Sequence, residues 1–265
     1  VNLSIPVGIL IGVSVMIYAV YSDIANPMVF LNIHAILIVF GGTFAAALVC
    51  FRFTHLLNMA KVLWRQLTGS FTKQRKQTID EIVRYCELAH QGELTLDEIQ
   101  GQNEQSFLAE SLKLLSEETL SEDELTEVLE MRLNSQEESY LLEEKTFKSI
   151  SRFPPAFGLI GATLGMIGLL QGLGSPDAFQ TLGPTMSTAL TATFWGLCFA
   201  NLLLIPIGEN LSVASENDII QRRIVIEGIK LIKQKKHPLV ALEYLSSYLT
   251  PAQRKELKLS ENYEA

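Results

Sequence analysis

Two stretches of this chain are apolar almost throughout and two alternate apolar with charged positions. Residues 1–51 and 153–221 hold no Lys or Arg, and all 21 basic residues fall between Arg52 and Arg152 or between Arg222 and Lys258. Acids are nearly as scarce in the apolar stretches: Asp23 in the first, and Asp177, Glu209, Glu216 and Asp218 in the second. One helical crossing of the hydrocarbon takes about 20 apolar residues, so each stretch has room for two. The first pair reads as Ser4 to Tyr21 and Leu31 to Phe51, divided by the turn formers Ser22-Asp23-Ile24-Ala25-Asn26-Pro27. The second pair reads as Phe153 to Leu173 and Gly183 to Ile207, divided by Gly174-Ser175-Pro176-Asp177. Neither connection is basic, so the positive-inside bias puts both basic blocks, and with them both termini, in the cytoplasm.

The patterned blocks read as helix. Ile79, Ile82, Val83 and Cys86 recur at three-and-four spacing, as do Leu108, Leu112 and Leu115. Ser121-Glu122-Asp123-Glu124 is a capping-box signature, which starts a helix from Asp123 towards Phe147 that can run on into the third span. Val225, Ile229 and Ile232 repeat the pattern in the tail. His237-Pro238 then breaks the chain and opens a last helix through Leu242, Leu245 and Leu249, ended by Pro251. The expected fold is all-α: a polytopic membrane protein with four transmembrane helices and a cytoplasmic helical domain. Its divisions are 1–53 (first two spans), 54–152 (cytoplasmic domain), 153–210 (last two spans) and 211–265 (cytoplasmic tail).

Composition narrows the function. A net charge of −8 and a pI near 5.1 offer no counterion-releasing surface for phosphates, which argues against nucleic acid and for a basic partner if the partner is charged. Cys50, Cys86 and Cys198 form no metal-ligating or disulfide pattern and read as small core residues. The N-terminal apolar run has no basic residues before it, so it reads as a span and not as a cleaved signal. His34, His55, His90 and His237 are scattered, and no nucleophile elbow, zinc-hydrolase or phosphate-loop pattern occurs, so no catalysis, cofactor or metal is expected.

The last two spans carry the specific chemistry. Gly158, Gly161, Gly165 and Gly168 line one helix face with residues that lack a side chain, and such stripes let helix backbones approach in lipid. Span four instead carries Thr185, Ser187, Thr188, Thr191 and Thr193. Each hydroxyl can be satisfied by the carbonyl one turn earlier, but the concentration of them suggests a polar passage. No Asp, Glu, Lys or Arg lies at mid-depth in any span, whereas ion relays use an ionisable group there. An ion pathway built on this chain must therefore borrow its carboxylate from another polypeptide. Pro155 and Pro206, at the cytoplasmic ends of spans three and four, perturb their helices at similar depth and could form a hinge, although helix-start placement alone accounts for Pro155.

Pro155-Ala-Phe-Gly-Leu-Ile-Gly-Ala-Thr-Leu-Gly165, Leu182-Gly-Pro184, Ala189-Leu-Thr-Ala-Thr-Phe-Trp-Gly196 and Pro206-Ile-Gly-Glu-Asn-Leu211 closely resemble the MotA/PomA family, the A subunits of the bacterial flagellar stator. The likeness covers nearly the whole chain and is most specific over 153–211. It implies an inner-membrane complex of five copies around two B subunits of the MotB/PomB type, each with one span bearing an essential Asp. It implies that ion flow past that Asp turns the ring and that the cytoplasmic domain pushes the rotor protein FliG. It matches Pro155 and Pro206 to the coupling prolines and Thr193 to the hydroxyl facing the B-subunit Asp. Sodium-type members resemble this stretch but hold Thr at the positions of Ala162 and Ala192, so the missing oxygens point to H⁺, with Na⁺ the alternative; Thr163, next to Ala162, is the neighbouring hydroxyl of the pathway. The rotor-contact helix departs from the family: its acids survive as Asp97 and Glu98, but its basic positions are Ala89 and His90, with Arg84 nearby. The competing readings are an ExbB/TolQ-like energy-transducing subunit, a type with three spans and an outside N-terminus, and a passive membrane scaffold.

Overall fold

The patterned and apolar stretches both fold as helix. The computed structural model describes residues 4–23, 26–57, 59, 61, 75–94, 106–117, 119–174 and 178–255, and among them there is no strand. By contact the chain divides into two units, residues 1–71 with 141–212 and residues 72–140 with 213–265. The dividing points at 140/141 and 212/213 fall inside two long helices, Glu122–Ile150 and Ile205–Lys233, because contact follows side-chain packing along a helix that continues past its apolar part.

The first unit opens with α1 (Ser4–Asp23). A 3₁₀ turn (Pro27–Leu31) follows, capped by Asn26, whose Oδ1 accepts from Met28 N at 3.2 Å. The next apolar stretch is α2 (Ile33–Ile36), a π turn (Leu37–Gly41) and α3 (Gly42–Cys50) in unbroken succession. α6 (Glu122–Ile150) gives its last ten residues to this unit, and α7 (Phe153–Gly172) begins two residues later. The junction stays helix-like, since Ser151 N donates to Phe147 O at 2.9 Å and Arg152 N to Ser149 O at 3.3 Å. α8 (Ala178–Cys198) starts earlier than the pattern suggests and carries Pro184 inside it. A second π turn (Phe199–Leu204) then leads into α9 (Ile205–Lys233).

Three described helical stretches are long and apolar enough to cross a membrane: Ile33–Cys50 and the apolar parts of Glu122–Gly172 and Leu182–Lys233. The N-terminal apolar stretch, Pro6–Ser22, is shorter. Leu159, Leu164, Ile167 and Leu170 stand exposed on α7, as Met186, Leu190 and Leu197 do on α8. Apolar side chains facing outward are what a lipid-facing helix requires. Cys50, expected in the core, is exposed at the end of α3.

Large aliphatic side chains hold the second unit together. α4 (Arg75–Gln91) turns Ile79, Ile82, Tyr85 and Cys86 inward, α5 (Phe107–Ser116) turns Leu108 and Leu112, and the first part of α6 turns Leu125, Leu129 and Leu133. The later part of α9 adds Ile224, Val225, Ile229 and Ile232, and α10 (Pro238–Ser246) adds Ala241 and Leu245. Burial pushes the Cys86 thiol up to about 12, so this cysteine is an inert core residue. The capping box forms as the sequence implies: Ser121 N donates to Glu124 Oε2 at 2.8 Å and Glu124 N to Ser121 Oγ at 3.3 Å. α9 ends in a Schellman arrangement, with Lys236 N donating to Leu231 O and Lys235 N to Ile232 O while Lys235 takes φ 49. The last helix is shorter than expected. α10 stops at Ser246, and Leu249 reaches the core from the turn that follows.

Candidate functional site

The glycine row of α7 meets α8 of the same chain, in antiparallel order. A Cβ built on Gly158 would lie 3.0 Å from Ala192 O and 3.1 Å from Thr193 Cα. One on Gly161 would lie 2.5 Å from Ala192 Cβ, and one on Gly165 2.6 Å from Ala189 Cβ. The row loosens at Gly168, where Thr185 Cγ2 is 3.7 Å away. Gly196 answers from α8, facing the Pro154 carbonyl so closely that no side chain fits. The stripe is therefore a backbone-to-backbone seam inside the subunit.

Of the residues expected to line an ion pathway, two lie along this seam. Ala192 is fully buried, enclosed by Gly161 and by Ala35 and Val39 of the second apolar stretch. Thr193 is half-buried, and its hydroxyl lies within hydrogen-bonding distance of Gly158 O across the seam at 3.3 Å and of Ala189 O one turn back at 3.4 Å. Thr163 is exposed and donates to Ile160 O at 2.8 Å, and Ala162 beside it is half-buried. The structure thus joins Thr193 and Ala192 to the glycine row and leaves the Thr163 side chain facing outward. Thr188 also donates one turn back, to Pro184 O at 3.0 Å.

Asn32 completes the end of the seam away from Pro154, and its role was not evident from the sequence. Its Oδ1 accepts from His34 N and Ala35 N, capping α2, while its Nδ2 donates to Thr188 Oγ1 at 2.7 Å. Trp195 adds a second pin by donating from Nε1 to Phe30 O at 2.7 Å, with Phe30 edge-on to Phe194 at 4.8 Å. The available signal was an Asn set at the head of an apolar run, where a cap is needed.

The two prolines differ. Pro154 and Pro155 sit in the first turn of α7, where backbone N–H groups have no intrahelical acceptor, so neither disrupts the helix. Pro206 lies in the first turn of α9 directly after the π turn Phe199–Leu204. Its ring crowds the carbonyl one turn earlier, and a wider turn relieves that crowding without ending the helix. Asn201 Nδ2 donates to Leu197 O at 2.9 Å at this loosened place. The π turn of the second stretch packs beside it, Phe40 lying 4.6 Å from Phe199. The buried Thr43 hydroxyl just beyond that π turn has no hydrogen-bond partner among the described residues.

Of the residues expected to contact a rotor, His90 is exposed near the end of α4, with Nδ1 3.0 Å from Lys235 O and its ring 5.4 Å from that of His237. Ala89 is buried in the aliphatic core and Arg84 is exposed. Asp97 and Glu98 lie outside the described residues.

Comparison with known proteins agrees with this architecture. The MotA/TolQ/ExbB proton channel family model matches residues 100–224. Chemotaxis protein PomA of Vibrio alginolyticus is 26% identical over 226 residues, which is 85% of this chain and 87% of that protein. Motility protein A of Treponema pallidum is 24% identical over 255 residues, 96% of each. A solved chain of C. jejuni MotAB superposes with a TM-score of 0.84 over 95% of this chain and 97% of its own, at 23% identity, and so shares the fold. Along most of its length the chain is similar in sequence to the motility A and PomA proteins, and it shares the fold of MotAB.

Proposed function

We infer that this chain is the A subunit of a bacterial flagellar stator, which with a B subunit converts ion flow across the membrane into torque. The near-full-length likeness to motility A proteins carries the reading. The chemistry of the α7–α8 seam is compatible with it. The seam offers hydroxyls and carbonyls but no acid, so the group that binds and releases the ion comes from a partner span bearing an Asp. The electrical part of the drive is about 2.3 kcal/mol per charge per 100 mV. The TolQ and ExbB branches share the family model, and full-length coverage by proteins named for motility favours the stator over them.

The finer features belong to the same proposal. The subunit crosses the inner membrane four times with both termini in the cytoplasm, and five copies surround two B subunits. Thr193 faces the partner Asp. The translocated ion is H⁺, since Ala162 and Ala192 supply no oxygen where a partly dehydrated Na⁺ needs several. Pro206 and its π turn are the pliable part of span four, and the Asn32 and Trp195 pins are the stiff part. The rotor protein FliG is met by the segment of His90, Asp97 and Glu98.

The experiment is a motility assay on cells carrying Thr193→Ala with the complex checked for assembly. The expected result is an assembled complex that does not move the cell; unchanged swimming overturns the ion-pathway role. Swimming speed should persist when Na⁺ is replaced by K⁺, and strict Na⁺ dependence overturns the proton assignment. Glu98→Lys should reduce torque while ion conduction continues.

A further inference from the structure

One face of α6 is polar and open to the surface, with Ser135 and Ser139 exposed and Arg132 and Gln136 half-buried. Arg132, Ser135, Gln136 and Ser139 follow one another at helical spacing, apart from the Leu125-Leu129-Leu133 stripe that joins the core. They wall a cleft of about 470 Å³ whose other sides are Phe107 and Glu110 of α5 and Arg222 of α9. That volume is within the range of small-molecule sites.

The lining supplies many donors and leaves most of them unused. Arg222 Nε donates to Asp218 Oδ2 at 2.7 Å, and its guanidinium lies 4.8 Å over the Phe107 ring. The same Asp218 oxygen accepts from the Tyr140 hydroxyl at 2.9 Å. Arg222 is thus braced from below and from one side, while its two terminal nitrogens have no protein acceptor among the described residues. Arg132 donates from one terminal nitrogen to Glu110, in a pair that is 38% and 53% exposed. Exposed pairs of this kind contribute little and exchange readily. Ser135, Gln136 and Ser139 make no side-chain hydrogen bond among the described residues. Phe107 is also the first residue of α5, whose Ser106 cap bonds the Ala109 N–H and leaves the partial positive charge of the earlier N–H groups beside the cleft.

We propose that this cleft binds a phosphate-bearing small molecule of roughly nucleotide size. Two guanidiniums with free terminal N–H groups match the multiple charged oxygens of phosphate, and the hydroxyls and amide of α6 take the oxygens that remain. A single carboxylate has too few acceptors to satisfy this many donors. Glu110 lets go of Arg132 as the phosphate arrives. The site is separate from the proposed ion pathway and does not depend on it.

An anionic lipid headgroup offers the same chemistry, so the test has two arms. In the first, the full chain purified with its B subunit in phosphatidylcholine nanodiscs is titrated calorimetrically with inorganic pyrophosphate. The second repeats the titration in phosphatidylglycerol nanodiscs. The expected result in the first arm is saturable binding that Arg132→Gln weakens by at least about tenfold, the worth of one charge-assisted hydrogen bond. Arg132→Gln removes only an exposed pair, so it keeps the fold where Arg222→Gln could loosen it. Ser139→Ala should weaken binding less. Arg223→Gln, which lines a different cleft, should leave it unchanged. Weaker pyrophosphate binding in the second arm marks the lipid headgroup as the source, and equal binding in both marks a soluble one. Absence of saturable binding in both arms, or equal weakening by Arg132→Gln and Arg223→Gln, overturns the proposal.

Discussion

The α7–α8 seam and the aliphatic core around α4, α9 and α10 solve one problem with opposite materials. Both press helices together, but the seam removes side chains, pairing Gly158, Gly161, Gly165 and Gly196 with backbone and alanine, while the core inserts Ile79, Ile82, Ile229, Ile232 and Leu245. The solvent explains the difference. In water, burying an aliphatic side chain is itself the driving force. In lipid that force is absent, since the surroundings are as apolar as the side chain, and only close approach gains dispersion contact and interhelical hydrogen bonds. Thr193 shows the second gain, because its hydroxyl reaches Gly158 O only where the backbones come this close.

The comparison can be broken most forcefully at Gly196. A methyl group there meets the Pro154 carbonyl, which is backbone and cannot step aside, so Gly196→Ala should abolish the assembled, motile complex. Normal assembly on size-exclusion chromatography with normal swimming would mean the seam is softer than its geometry. In the core the opposite change should be damaging: Ile229→Ala leaves a cavity and should lower stability by about 2–5 kcal/mol, read by thermal melting of the purified complex. Gly228 is where the core borrows the rule of the seam, a built Cβ lying 2.5 Å from Ile82 Cγ2. Ile82 is fully buried and has little room to yield, so Gly228→Ala should cost about 1–3 kcal/mol by the same measurement.

Smaller effects sharpen the contrast. Ser121→Ala removes the cap of α6 and should cost about 1 kcal/mol. The Ser121 backbone N–H, and then its hydroxyl, hold the Glu124 carboxyl below its ordinary value. A depressed carboxyl stabilises the fold above its unfolded value, near 4.3, and that contribution is lost as pH falls through the folded value. The stability gap between wild type and Glu124→Gln should therefore close on acidification below about pH 4 and stay constant above about pH 6. Gly168→Ala should be nearly silent in melting and swimming, since its methyl group finds ordinary contact with Thr185. A large effect there would extend the seam beyond its close part.

Helix type, the glycine stripe, the Ser121 cap and the absence of a mid-span acid were legible in the residues alone, because each is a matter of composition or of a period within one helix. Several features required distant parts of the chain. The stripe could have faced another subunit, and only the fold shows that α8 of the same chain fills it, with Ala192 sealed inside. Periodicity names a face but not its partner. Asn32 became visible as a pin only when Thr188, far along the sequence, arrived at 2.7 Å. Pro206 was expected to perturb its helix as a hinge, and only the fold shows the π turn before it that absorbs the ring, because a helix held by neighbours on several sides can widen locally at less cost than it can stop. Leu249 likewise took its surroundings from elements the local pattern does not contain. Local periodicity follows from the 3.6-residue turn of the backbone and is written along the chain, whereas the choice of partner depends on which surfaces close over one another, and that is settled only by the packed whole.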